Sequence, residues 1–285
     1  MHWQTTRYRI DLSRPRVMGI VNATPDSFSD GGRYHGLHAA LHHCERLLAE
    51  GADILDIGGE SSRPGTPPVG LEEELKRVLP VLEGAVRLGV PVSVDTYKAE
   101  VMRRALELGV DIVNDIAALR QRGALDAVAA HPACGVCLMH MHGEPRTMQQ
   151  ATMAGDPVPQ VVELLRAQSR ALQDRGVAAE RIVWDPGIGF GKTVEQNFAL
   201  LARQDELLAH GHPLLAGWSR KSSLGRITGL PVNERMIPSV AAALLAVERG
   251  ARIVRVHDVR ETVAALDVWA AMDSEQQGRE GRPTT

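Results

Sequence analysis

Aromatic residues and cysteines are scarce in this chain, and long apolar runs are missing. Phenylalanine, tyrosine and tryptophan make up 4% of the 285 residues, and there are three cysteines. A small, odd number of cysteines argues against a disulfide framework. No segment approaches the ~18 consecutive apolar residues of a membrane helix, and the first residues lack the apolar stretch of a signal peptide. We therefore expect a cytoplasmic protein that does not contact a membrane.

Charge of one sign is not in excess either. The chain carries 32 basic and 35 acidic residues, which gives a formal net charge of −3. A nucleic-acid-binding protein usually shows a basic stripe, and the sequence contains none, so we expect no nucleic-acid partner. Any anionic ligand must be held by a local cluster of cations.

Short apolar runs alternate with stretches of helical periodicity along the whole chain. The eight runs lie at residues 17–21, 53–57, 91–94, 111–113, 135–139, 181–184, 213–216 and 252–256. Continuous apolar strands are typical of a parallel sheet covered on both faces. Eight strand–helix units in one chain favour a single α/β domain, a (β/α)₈ TIM barrel, over an open sheet.

The predicted helices and termini fit one domain that spans residues 1–285. Apolar stripes predict helices around residues 37–48, 71–86 and 101–108, and Asp156-Pro157 resembles an N-cap followed by a first-turn proline. The barrel core is predicted over about 17–272, with a frayed polar tail at 273–285. The first ten residues are expected to cover the bottom of the barrel.

Polar residues follow every predicted strand. In a (β/α)₈ barrel the carboxyl ends of the strands build the active site. A complete ring of polar groups is hard to explain by stability, because buried charge is costly unless it is paired or used. The strand-end residues are Asn22, Asp56, Glu60, Asp95, Asn114, Asp115, His140, Asp185, Ser219, Arg220, Lys221, Arg255 and His257.

The polar residues are of two chemical kinds. Asp95, Asn114 and Asp185 suit a flat ring rich in N–H donors. The cations suit a phosphate or a carboxylate, and they comprise Arg63, Lys221, Arg255 and His257. Two glycine- and proline-rich loops, residues 23–32 and 58–70, are candidate lids. The pattern predicts a ligand that combines a polar heterocycle with an anionic group.

Three weaker signals are interpreted as structural. The segment 187–193 (GIGFGKT) lacks the spacing of a phosphate-binding loop, and we expect a flexible barrel loop. Cys134 and Cys137 lie three residues apart on a strand, so their side chains should point to opposite faces. The histidines are expected at the surface, on the rim or in structural roles, and they are His38, His42, His43, His140 and His142.

Long motifs then show a specific resemblance, in order and over residues 17–257. The chain resembles the dihydropteroate synthases, a family of pterin-binding barrels. Ser62 replaces a more usual threonine, and Trp218 stands where a smaller residue is common. The motifs are 22–32 (NATPDSFSDGG), 56–65 (DIGGESSRPG), 93–96 (SVDT), 114–115 (ND), 138–141 (LMHM), 185–192 (DPGIGFGK), 219–221 (SRK) and 255–257 (RVH).

The resemblance implies a role for each matching residue. It implies catalytic roles for Asp95, Lys221, Arg255 and His257, and support by Asp56 and Glu60. The pterin site would comprise Asp95, Asn114, Asp185 and Lys221, and the pyrophosphate site Asn22, Ser62, Arg255 and His257. The p-aminobenzoate site would comprise Phe28, Arg63, Pro64, Phe190, Ser219 and Arg220. Mg²⁺ would lie near Asn22 and Asp30.

The resemblance also implies a reaction. The arylamine of p-aminobenzoate would replace pyrophosphate on a dihydropterin methylene in folate synthesis, sulfonamides would compete with p-aminobenzoate, and the enzyme would be a homodimer. Two alternatives stay open. A methyltetrahydrofolate:corrinoid methyltransferase would share the ring-binding carboxylates, but it would not need the segments 63–64, 219–221 and 255–257. A non-catalytic paralogue would only bind a ligand or partner.

Overall fold

The computed structural model describes residues 1–23, 32–61, 65–144, 148 and 151–280. Eight parallel strands form the barrel in the order β8-β7-β6-β5-β4-β3-β10-β9, and a parallel bridge between Trp184 and Leu214 closes the ring. The (β/α)₈ prediction is therefore confirmed. The strands are β3 (Arg16–Asn22), β4 (Ile54–Gly58), β5 (Val92–Asp95), β6 (Ile112–Asp115), β7 (Gly135–Met139), β8 (Ile182–Asp185), β9 (Leu215–Ala216) and β10 (Ile253–Val256).

Helices cover the outside of the barrel. Helix α5 begins as the sequence predicts, because the Asp156 carboxylate accepts a hydrogen bond from the Val158 amide and Pro157 occupies the first turn. The helices are α1 (Gly32–Ala49), α2 (Leu71–Ala85), α3 (Ala99–Glu107), α4 (Ala124–Ala130), α5 (Pro157–Gln173), α6 (Val194–Ala202), α7 (Gln204–Leu208), α8 (Ser222–Thr228), α9 (Met236–Glu248) and α10 (Val259–Glu280).

A hairpin of the first residues, β1 (His2–Gln4) and β2 (Arg9–Asp11), closes the bottom of the barrel. Trp3 and Ile10 are buried in one cluster with the lower inward-facing residues of the barrel strands, such as Met18 and Ile112. The Trp3 indole donates a hydrogen bond to the Arg181 carbonyl (2.9 Å). The prediction that the N-terminus covers the bottom is confirmed.

The structure confirms the prediction for the two strand cysteines and differs from the prediction for the C-terminal segment. Cys134 lies in the outer core between sheet and helices, whereas Cys137 lies inside the barrel, so the opposite orientation is confirmed. Both are free thiols. The expected frayed tail is wrong up to Glu280, because α10 continues through these polar residues, which include good helix formers. Among the described residues, no helix is long and apolar enough to cross a membrane.

Candidate active site

A pocket of about 940 Å³ opens at the carboxyl ends of the barrel strands. Side chains from most of the strands meet in one cavity, as the strand-end residues predict, whereas Asp56, Asp115 and His140 are not among the described residues that line it. The predicted site residues among the lining are Asn22, Asp95, Asn114, Asp185, Phe190, Ser219, Arg220, Lys221, Arg255 and His257. Phe28, Asp30, Ser62, Arg63 and Pro64 lie outside the described residues.

Arg255 stands between two carboxylates at the floor of this pocket. Its Nε donates to Asp56 Oδ2 (2.6 Å) and its Nη2 donates to Asp95 Oδ2 (2.6 Å). Burial raises the pKa of Asp95 to about 7, although Arg255 opposes the shift. Asp56 is fully buried, and Asn114 Nδ2 also donates to its Oδ2 (3.2 Å). Asp56 therefore orients both Arg255 and Asn114 from below the pocket.

This arrangement links the predicted ring-binding residues to the predicted anion-binding residues. Arg255 is one of the predicted anion-binding cations, and it also forms ion pairs with Asp56 and Asp95. The cause is topological. Strands β10, β3, β4 and β5 are consecutive around the barrel, so Arg255 reaches across to carboxylates that are far away in sequence.

Asp185 and Lys221 form a second pair of opposite charges. Asp185 Oδ1 accepts a hydrogen bond from the Gly187 amide (2.7 Å), and burial raises the pKa of Asp185 while Gly187 and Lys221 oppose the shift. Burial lowers the pKa of Lys221 to about 8, and Asp185 opposes this shift. The Lys221 ammonium lies 4.1 Å from the centroid of the Phe190 ring. A carboxylate, an ammonium and an aromatic face thus adjoin one another.

Beside these charges lies an apolar wall, of which the sequence analysis identified only Phe190. Ile116, Met139, Met148 and Phe190 belong to one buried cluster, and all four line the pocket. Thioether and aromatic side chains adapt well to flat rings. Ile116 and Met139 lie at the ends of β6 and β7, where the sequence shows ordinary core residues, and Met148 lies in the connection between β7 and α5.

His257 is oriented by Ser219. The Ser219 hydroxyl accepts a hydrogen bond from the His257 amide (3.1 Å) and lies 2.9 Å from His257 Nδ1. If the imidazole is neutral, Ser219 donates to Nδ1 and the ring proton is on Nε2. If it is charged, both nitrogens carry protons. When Ser219 donates to Nδ1, or when the imidazole is charged, Nε2 is a donor, which suits an anionic ligand.

The segment Ser219–Lys221 is held by residues that the sequence analysis missed. Arg220 has a left-handed backbone (φ 57°), which costs about 1 kcal/mol for a non-glycine residue. Its amide donates to Ser239 Oγ (2.8 Å) and its guanidinium pairs with Asp258 (2.6 Å). Arg235 Nη1 donates to the Arg220 carbonyl (3.3 Å). Of these supporting residues, only Asp258 could have been identified from the sequence, because it directly follows the motif at residues 255–257.

Glu60 connects the pocket to the second loop. It lines the pocket, and its carboxylate accepts hydrogen bonds from the Val69 amide (3.2 Å) and the Tyr97 hydroxyl (2.8 Å). Lys98 forms ion pairs with both Glu60 and the buried Glu74. Glu60 thus fixes one end of the loop that contains residues 62–64.

Other sequence-predicted residues lie as follows. Trp218 is buried against Phe198 (ring centroids 5.2 Å apart), and it is not among the described residues that line the pocket. Its size therefore affects the outer core and not the pocket. His38 and His42 are exposed, and His43 is half-buried, with its Nε2 3.2 Å from the Ile20 carbonyl.

A family model described as pterin binding enzyme matches residues 18–257. The chain is 51% identical to the dihydropteroate synthase of Neisseria meningitidis serogroup B over 276 residues, which cover 95% of this chain and 97% of that protein. It is 46% identical to the Escherichia coli K12 enzyme of the same name over 271 residues, 95% and 96% of the two chains.

Solved structures give the same result. The dihydropteroate synthase of Burkholderia cenocepacia, complexed with 7,8-dihydropteroate, is similar at 51% identity with a TM-score of 0.89, covering 97% of this chain and 98% of that one. The Xanthomonas albilineans enzyme with 4-aminobenzoic acid is similar at 49% identity and a TM-score of 0.89, covering 96% and 99%. The chain therefore belongs to the pterin-binding enzymes, in the family of the dihydropteroate synthases.

Proposed function

We propose that the chain transfers the dihydropterin-methyl group of 6-hydroxymethyl-7,8-dihydropterin pyrophosphate to p-aminobenzoate and releases pyrophosphate, a step of folate synthesis. The observation that supports this most is the single pocket in which Asp95, Asn114 and Asp185 adjoin Lys221 and Arg255. The dihydropteroate synthases of Neisseria meningitidis and Escherichia coli are 51% and 46% identical to this chain, each over 95% of its length.

The pterin ring fits the inner part of the pocket. Its N–H groups can donate to the carboxylates of Asp95 and Asp185, and the Asn114 amide can both donate and accept. Lys221 supplies a donor to a ring acceptor. The wall of Ile116 and Met139 gives the flat ring an apolar face.

The pyrophosphate fits the cations and the amide that line the same pocket as the ring-binding carboxylates. Arg255 uses Nε and Nη2 for its two carboxylates, and Nη1 makes no hydrogen bond to another described residue, so Nη1 can donate to a phosphate oxygen. The His257 imidazole, when Nε2 carries a proton, and the Asn22 amide add donors. Neutralising the charge of pyrophosphate makes it a better leaving group.

A magnesium ion is part of this proposal. The described residues contain no group of three or more His, Cys, Asp or Glu side chains that could hold a metal. Mg²⁺ commonly takes one or two protein oxygens together with substrate phosphates and water, and Asn22, which lines the pocket, with Asp30 fits such a partial set. When bound, the ion neutralises charge on the departing pyrophosphate.

The reaction breaks a C–O bond and forms a C–N bond. The electron pair of the C–O bond leaves with pyrophosphate, and the positive charge on the methylene spreads into the dihydropterin ring. Asp95, desolvated beside the ring, can stabilise this charge. The arylamine lone pair then forms the C–N bond, and one amine proton is released. The amine is neutral at pH 7, so the protein needs to position it and not to deprotonate it.

The proposed function is tested by pyrophosphate release from the pterin pyrophosphate, with and without p-aminobenzoate, in Mg²⁺ and in EDTA. We expect release that depends on p-aminobenzoate, a dihydropteroate product, and loss of rate in EDTA that Mg²⁺ restores. Methyl transfer from methyltetrahydrofolate to a corrinoid would favour the methyltransferase alternative. Tight pterin binding without turnover would favour the non-catalytic alternative.

We predict that sulfonamides inhibit this chain by competing with p-aminobenzoate. A sulfonamide presents the same aniline ring with a sulfonyl group in place of the carboxylate, and a similar enzyme from Yersinia pestis was solved with a sulfonamide drug. An inhibition series should raise the KM for p-aminobenzoate and leave kcat unchanged. Pro64→Leu should weaken the drug more than the substrate, because the drug carries an extra substituent. Non-competitive inhibition would place the arylamine site elsewhere.

We also propose a homodimer, formed through α9 and α10. These helices pack against each other, and the Trp269 indole of α10 donates to Glu248 of α9 (2.6 Å). Both helices expose large apolar side chains, with Leu245 48%, Val268 72% and Met272 47% exposed. Val268 and Met272 share one helix face. An apolar surface on neighbouring helices suits a second copy of the chain.

The dimer prediction is checked by sedimentation velocity. The wild type should sediment as a dimer and Val268→Glu as a monomer, because a carboxylate would be buried at the interface. Leu108→Glu is the control, since Leu108 is an exposed apolar residue (37%) beyond α9 and α10. A wild type that is monomeric at micromolar concentration would refute the proposal.

For the compartment, we propose the cytoplasm. The three cysteines are free and buried, which suits a reducing environment. Fractionation of producing cells followed by immunoblotting tests this, and recovery with the membrane or extracellular fraction would contradict it.

A further inference from the structure

The segment from Gly187 to Lys192, here called the β8 loop, contains Phe190 of the proposed p-aminobenzoate site, whereas Lys192 has no role in the proposed reaction. We infer that Lys192 is a positioning residue that fixes the β8 loop and thereby places Phe190 for the arylamine. The inference rests on the proposed function for the identity of that substrate. It concerns a residue that is not among the described residues lining the pocket.

Lys192 is buried (2% exposed), and its ammonium is surrounded by acceptors. Burial lowers the pKa of this ammonium to about 7, although Asp185 opposes the shift. It donates to the carbonyls of Gly187 (2.9 Å) and Phe190 (3.2 Å) within the loop, and to the carbonyl of His140 (3.2 Å) in the segment after β7. Its Nζ also lies 2.9 Å from His140 Nδ1. An ammonium has three protons, so this environment occupies all of them. Lys192 therefore joins two strand-end segments and has no proton left for a phosphate.

The glycines let the β8 loop lie directly on the segment that follows β7. Gly187 and Gly191 have left-handed backbones (φ 69° and 68°). A Cβ atom at Gly187 would stand 1.8 Å from the His140 carbonyl oxygen, and one at Gly191 would stand 2.2 Å from the His142 carbonyl oxygen. The glycine pattern thus serves close backbone packing, and the expected flexible loop is wrong.

The β8 loop carries parts of both substrate sites. Phe190 belongs to the apolar wall of the pocket, and the Gly187 amide holds the carboxylate of Asp185 (2.7 Å). On the other side, the Gly189 amide donates to the buried Asn197 (2.8 Å). The His140 imidazole is uncharged, because burial and the neighbouring Lys192 lower its pKa to about 2. Its Nδ1 is then an acceptor, so the imidazole helps to hold Lys192.

Removal of the ammonium should therefore loosen the Phe190 wall more than the pterin site. Without Lys192 the carbonyls of His140, Gly187 and Phe190 lose a buried donor, and the loop must shift to hydrate them. The pterin keeps Asp95, Asn114 and Lys221, which lie outside the loop. We expect Lys192→Met to raise the KM for p-aminobenzoate about tenfold, and the KM for the pterin pyrophosphate less than threefold.

The matched control is Arg181→Met. Arg181 is also a buried cation that donates to backbone carbonyls, those of Cys134 (2.7 Å) and His131 (3.0 Å), but it lies at the bottom of the barrel. It should lower stability and leave both KM values unchanged. Hydrogen exchange of the amides at 187–191 gives a second readout without substrates: exchange should accelerate in Lys192→Met and not in Arg181→Met.

The outcomes separate this inference from the proposed function. An inactive wild type with accelerated exchange in Lys192→Met would refute the function and support the role of Lys192 in holding the loop. Unchanged exchange, or an unchanged KM for p-aminobenzoate in an active enzyme, would refute the inference. If Lys192→Met does not fold, His140→Leu tests the same inference, because it removes only one of the acceptors of Lys192. An increase of twofold or more in the KM for p-aminobenzoate would support the inference, and an unchanged KM would refute it.

Discussion

Arg255→Met should abolish measurable turnover and lower the free energy of unfolding by about 3–5 kcal/mol at pH 8, the usual cost of breaking a buried ion pair by removing one partner. The guanidinium lies between Asp56 and Asp95, whose side chains are 0% and 13% exposed. Without it, two carboxylates face each other in the barrel without a countercharge. Chemical denaturation and steady-state kinetics measure the two effects.

The pH dependence of this variant distinguishes lost charge from lost packing. The folded-state pKa of Asp95 is about 7, above the unfolded value near 3.9. Such a group contributes stability that is fully present below the unfolded pKa and is lost as the pH rises through the folded pKa. Removal of Arg255 should raise the folded pKa of Asp95 further, so the stability deficit should be much smaller at pH 5 than at pH 8.

Arg203→Met is the matched control for Arg255→Met. Arg203 also stands between two carboxylates, Asp156 (2.8 Å) and Glu206 (2.6 Å), but on the surface. Exposed ion pairs contribute little to stability, so this variant should retain the stability and activity of the wild type. An Arg255→Met deficit that is equal at pH 5 and pH 8 would indicate lost packing and would refute the electrostatic account.

The barrel could be predicted from the sequence because each strand is a short apolar run with polar residues at its end or shortly after it. Strand spacing and position alone placed Asp95, Asn114 and Asp185 at one end. The pairing of Arg255 with Asp56 and Asp95 could not be predicted, since it depends on which strands adjoin once the barrel closes. The same applies to Lys192, whose partners on the segment after β7 lie some fifty positions earlier in the chain.

In the proposed pterin site, we predict that Asp185→Asn has a comparably large effect, on the affinity for the pterin pyrophosphate. A carboxylate accepts hydrogen bonds on both oxygens, and Asp185 uses Oδ1 for the Gly187 amide. The other oxygen is then available to N–H donors of the pterin. In asparagine, retention of the Gly187 bond turns an NH₂ group toward these donors and toward Lys221, so an attractive contact becomes repulsive.

We expect Asp185→Asn to weaken binding of the pterin pyrophosphate about 100-fold, which corresponds to about 2.7 kcal/mol. Titration calorimetry with Mg²⁺ and without arylamine measures this directly. Asp115→Asn is the control, because Asp115 is an equally buried strand-end carboxylate that accepts the amides of Ala117 and Leu119 (2.7 Å each). It is not among the described residues that line the pocket, so its substitution should lower stability and leave affinity intact. Wild-type affinity in Asp185→Asn, or equal losses of affinity in both variants, would mean that Asp185 does not contact the pterin.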